Sequence, residues 1–137
     1  ARVSAWVISV EGVTVPTISS TSTITNKRNQ PRIVSAASYT TDTGTSLDVS
    51  TTDIFVITAQ AGALLFNAPS GTPIQGEKLI IRIKDNGTAR ALTWNAVFRA
   101  MWTALPSTTI LSKTLYLWFI YNSTDTKWDL VSSAQEA

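Results

Sequence analysis

Cysteine and histidine are both missing from this 137-residue chain, and each absence removes a class of chemistry. Without cysteine there is no disulfide framework, no thiol nucleophile and no thiolate metal ligand. Without histidine the Ser-His-Asp and Cys-His arrangements fall away, together with most zinc sites and the usual proton carrier near neutral pH. Charge is scarce too, at 15% of residues with a net charge of +2, and the two signs are interspersed. Such a surface lacks the basic footprint that sequence-independent nucleic-acid binding needs, so nucleic acid is not an expected partner. No apolar run approaches the ~18 residues of a membrane span, and the opening ARVSAW lacks the long apolar core of a signal peptide. No membrane insertion is expected, and the reading is of a soluble protein made in a cytoplasm. Ala1 is what removal of an initiator methionine would leave, which fits a complete short gene product. The six glycines stand singly in turns, none in a phosphate-cradling loop.

What is abundant is threonine and serine, 36 residues together, a bias toward strands and away from helices. A chain of this length buries roughly 68% of the surface its unfolded form exposes, enough for one core without staples. Apolar runs recur between turn signals at residues 5–10, 12–15, 33–37, 46–49, 54–58, 63–68, 78–84, 91–97, 109–111, 114–121 and 127–131. Short strands at this spacing predict an all-β domain, an antiparallel sandwich with an extended N-terminal arm. In KLIIRIKDNGTARALTWNAV, Leu79, Ile81 and Ile83 share one side and Arg82 and Lys84 the other. Asn86-Gly87 supplies turn torsions, and Leu92, Trp94 and Ala96 resume the alternation, which predicts a β-hairpin.

Residues 17–31, TISSTSTITNKRNQP, carry no core face and read as a linker, so the chain divides into an arm at 1–32 and a domain at 33–137. The segment AWVISVEGVTVP is too short to fold alone. It either returns to the sheet of its own domain or adds as a strand to a neighbour, with Trp6, Ile8 and Val10 as contact residues. Lys27, Arg28 and Arg32 are candidate docking charges for an acidic protein surface, although three cations in a polar linker are commonly just solvated.

Catalysis would have to rest on carboxylates. Asp42, Asp48 and Asp53 lie close in sequence, and a glycosidase needs two carboxyl groups ~5 to 9 Å apart. Each sits at an expected turn or strand end, where aspartate caps backbone amides. We therefore expect no enzyme, no catalytic residues, no metal and no cofactor. Asn86-Gly87-Thr88 and Asn122-Ser123-Thr124 match the N-glycosylation pattern and are better explained as turns.

The aromatic residues are more informative. In TLYLWFIYN, Leu115, Leu117, Phe119 and Tyr121 form one face and Tyr116, Trp118 and Ile120 the other, so this strand is apolar on both sides. One face fills a core; the other leaves on the order of 10 kcal/mol of burial unrealised unless something covers it. The N-terminal segment, a neighbouring subunit or a sugar stacked on Trp118 could do so. Met101 and Trp102, ahead of Pro106, form a second contact candidate on a loop.

The stretches GEKLIIRIKDNGTARALTWNAVFRA and ALPSTTILSKTLYLWFIYNSTDTKWDLVSSAQE resemble a β-sandwich module of tailed-bacteriophage virion proteins, found in tail fibres, head fibres and capsid decoration proteins. The resemblance covers roughly residues 33–136, and its motifs are the IRIKDNGTAR hairpin, the LTWN strand end and KTLYLxFIYN followed by KWD. It implies a jelly-roll-like structural module of the virion, with a trimer as the expected homo-oligomer. Other capsid or tail proteins are then partners, and the N-terminal 32 residues form the attachment. Met101-Trp102 and Trp118 depart from the pattern, where smaller residues are expected. A receptor module that binds a host surface glycan through Trp102 or Trp118 is the alternative.

Overall fold

A computed structural model describes residues 9–10, 13–14, 30–39 and 47–137. The contact pattern divides the chain between Gln30 and Pro31. In the first unit, β1 (Ser9–Val10) pairs antiparallel with β2 (Val13–Thr14), Ser9 opposite Thr14 and Val10 opposite Val13. Trp6, Ile8, Lys27 and Arg28 lie outside the described residues, as do most of the expected linker and Asp42.

The second unit is β-rich, with no helix among the described residues. Six strands form one sheet in the order β3-β4-β6-β9-β10-β8: β3 (Ile33–Ala36), β4 (Ile54–Gln60), β6 (Lys78–Asp85), β9 (Thr114–Asn122), β10 (Lys127–Gln135) and β8 (Phe98–Ala100). A second sheet has two strands, β5 (Leu64–Phe66) and β7 (Leu92–Trp94). Period-two patterning sends Leu79, Ile81 and Ile83 of β6 and Leu115, Leu117 and Phe119 of β9 into the core, all at 5% exposure or less. Leu64, Phe66 and Leu92 of the small sheet belong to the same core. Phe66 stacks on Trp94 with ring centroids 4.2 Å apart, and Trp94 and Phe98 both meet Phe119 of the large sheet. The Trp94 indole donates its N–H to the Pro106 carbonyl at 2.7 Å, so its polar edge is satisfied where its rings are packed.

Two expectations are corrected. The segment around Asn86-Gly87 is not a hairpin: β6 lies between β4 and β9 in the large sheet, whereas β7 pairs with β5 in the small one. The turn carries the chain from one sheet to the other, and alternation fixes a strand's inner face without fixing its partner. The large sheet is also mixed, not antiparallel. β3 and β4, β4 and β6, and β8 and β10 run parallel, as do β5 and β7. In the last three of these pairs one strand intervenes in sequence and returns the chain to its starting end, which makes the flanking two co-directional.

Smaller differences have local causes. Leu47 and Val49 are buried, yet they flank only an isolated bridge from Asp48 to Ser70. Residues 109–111 form no strand, because the Thr109 hydroxyl donates to the Asp85 carboxylate and Ile110 and Leu111 stay exposed. β8 was not anticipated; it is three residues long and gives periodicity little to act on.

Candidate interaction surface

The strand register assembles an apolar face on the side of the large sheet away from the core. Ile33 of β3 lies opposite Ile54 of β4, Ile54 opposite Ile80 of β6, Ile80 opposite Trp118 of β9, and Trp118 opposite Ser132 of β10. Two residues along each strand, a second row runs Ser35, Val56, Arg82, Tyr116 and Ala134. Side chains in directly opposed positions sit about 5 Å apart, so each row is a continuous ribbon of contacts across five strands.

Together the rows line a shallow groove of about 360 Å³. Val56 forms part of its floor and is itself buried, while Ile33 at 58%, Trp118 at 46% and Tyr116 at 44% remain exposed. Roughly half of each aromatic still faces water, which leaves about 2 kcal/mol of burial per ring to be gained from a covering partner. Contiguous exposed apolar surface of this kind commonly marks an interaction site.

Charge closes the face at both ends. At one end Lys78, Ile120, Asp129 and Arg99 form a row across β6, β9, β10 and β8. Arg99 grips Asp129 with two hydrogen bonds of 2.7 and 2.9 Å and reaches Asp125 at 2.9 Å. The guanidinium holds the Asp129 carboxyl below the usual carboxylate range. At the other end Lys84 lies opposite Thr114, whose N–H donates to the Glu136 carboxylate at 3.0 Å. Arg82 differs from these charges. It lines the groove, and no hydrogen bond or ion pair joins its side chain to any described residue.

The anticipated contact residues fall in three places. Tyr116 and Trp118 are in the groove, and Ile120, half-buried, lies in the row at its charged end. Met101 and Trp102 stand outside it, in the bend that follows β8. Val10 lies in β1, in the other unit. Arg32 is bound within its own domain: its side chain bonds both oxygens of Asp53 and donates to the carbonyls of Ser50 and Val49. Ile33, Ile54, Val56 and Ile80 were not singled out, because their meeting depends on which strands are neighbours.

Of the carboxylates considered for catalysis, Asp48 and Asp53 have structural partners. Asp48 accepts the Ser50 N–H at 2.9 Å, and Asp53 is held below the usual range by Arg32. Among the described residues no group of three or more aspartates and glutamates comes together to hold a metal ion. No protein-family model, curated protein or solved structure matches the chain.

Proposed function

We propose that this protein is a structural component of a bacteriophage particle, a capsid decoration or head-fibre protein or a tail-fibre component, with no enzymatic role. In this reading residues 33–137 are a jelly-roll-like β-sandwich, the N-terminal arm attaches it to other virion proteins, and copies of the domain associate through apolar strand faces. The observation that carries it is the five-strand apolar face, whose two exposed aromatics and exposed isoleucine call for a covering surface. The resemblance of residues 33–136 to virion modules supports the setting.

Light scattering on the purified full-length chain tests the assembly. A mass of several chains, with three as the expected number, supports the reading; a single-chain mass at every concentration up to about 1 mM removes it. Detection of the chain in purified particles by mass spectrometry tests the location. A second reading, a glycan-binding receptor module, is favoured by the exposure of Trp102 and Trp118, since sugars stack on open indoles. Saturation-transfer NMR with bacterial surface polysaccharides checks it, and it requires signal loss in Trp102→Ala or Trp118→Ala.

A further inference from the structure

The groove is a hollow, and the same domain carries a projection that suits it. Trp102 follows β8 at the edge of the large sheet opposite β3. At 101% exposure it is as open as an indole in an extended chain, so it packs against none of the described residues. Beside it Met101 is 54% exposed, and residues 101–110, MWTALPSTTI, contain no charge. This uncharged loop, apolar at its Met101-Trp102 tip, can enter an apolar groove without burying an unpaired ion.

Size and chemistry agree with that placement. A cavity of about 150 Å³ accommodates a benzene ring, so a groove of about 360 Å³ holds an indole with a thioether beside it. Arg82 supplies a guanidinium without an ionic partner among the described residues, and the face of an indole is the best aromatic surface for such a cation. Tyr116 and Trp118, on the neighbouring strand β9, offer ring edges and faces beside it.

We propose that the groove of one copy receives the Met101-Trp102 projection of a second copy, so that subunits join head to tail through two different patches. This rests on the self-assembly reading and names its contact. Each copy then offers one projection and one groove, and a chain of such contacts closes into a ring when the rotation between copies permits. The projection brings about 300 Å² and the groove less, so one contact buries under about 600 Å². That falls short of the ~1,200 Å² of a stable pair. A closed ring gives each subunit two contacts, and association is therefore expected to be concentration-dependent and cooperative.

The test is sedimentation velocity on the full chain, wild type and two variants, with near-UV circular dichroism to check that each is folded. Trp102→Ser removes the projection, and Trp118→Glu blocks the groove; Arg82→Glu replaces the latter if it fails to fold. Each variant alone is expected to lose self-association by at least about 30-fold, the effect of losing an interface hot spot. Mixed in equal amounts, the two variants retain one intact projection and one intact groove between them but cannot close a ring, so they are expected to form at most a weak one-to-one pair and never the wild-type assembly. If Trp102→Ser or the groove variant alone assembles as the wild type does, or the mixture regains the wild-type assembly, the head-to-tail contact is wrong and self-assembly stands. A wild type that stays monomeric throughout removes both.

Discussion

A buried carboxylate holds the corner after β6. Asp85 is 4% exposed and accepts three hydrogen bonds: from the Thr109 hydroxyl at 2.8 Å, the Ser112 N–H at 2.9 Å and the Gly87 N–H at 3.0 Å. Burial disfavours its charge most strongly. These donors and the positive charge of Arg90 outweigh it and hold the carboxyl below its ordinary range. Because the folded value is depressed, the stabilisation is fully present above the unfolded pKa near ~3.9 and fades as pH falls through the folded one. Asp85→Asn is therefore expected to cost about 1 to 3 kcal/mol at pH 7. In urea titrations the gap to wild type narrows as pH falls below the unfolded value of ~3.9. Two glycines separate backbone strain from crowding. Gly71 and Gly87 have φ of +90° and +91°, but a Cβ at Gly71 would lie 2.5 Å from Ser50 Oγ and 2.8 Å from Asp48 Oδ1, whereas at Gly87 the nearest atom is 4.0 Å away. Gly87→Ala should cost about 1 kcal/mol and Gly71→Ala clearly more, measured as shifts in thermal midpoint.

At the scale of elements, β9 was legible almost residue by residue. Its alternation alone places Leu115, Leu117 and Phe119 inside and leaves Tyr116 and Trp118 outside, and both outer aromatics line the groove. The four aliphatic residues that complete the site were not legible, since Ile33, Ile54, Val56 and Ile80 come together only through a register between strands up to 47 residues apart. Partner choice misled in the same way at Asn86-Gly87, where a turn signal strong enough for a hairpin serves a crossing between sheets. Local sequence encodes the face a strand buries, whereas its neighbours are decided by the whole core. That core predicts where damage spreads. Phe66 has no exposure, and its ring stacks on Trp94 and meets Phe98 at an edge. Phe66→Ala should cost about 3 to 5 kcal/mol in urea unfolding, with loss of the near-UV signal of Trp94.

For the molecule as a whole, the cut between Gln30 and Pro31 separates a core-bearing unit from a short one. A chain beginning at Pro31 is expected to unfold in one cooperative step with the urea midpoint of the full-length protein. A lower midpoint or a broadened transition would show that residues 1–30 contribute to its stability. The order of strands adds a constraint on synthesis. Among the described strands β8 reaches the large sheet through β10, Phe98 lying opposite Trp128 and Ala100 opposite Leu130. While a ribosome has released β8 but still holds residues 127–135, the nascent strand lacks the neighbour that joins it to the large sheet. The far end of the sheet thus matures late. Until β10 pairs, a partly made chain on the polysome lacks this edge of the large sheet.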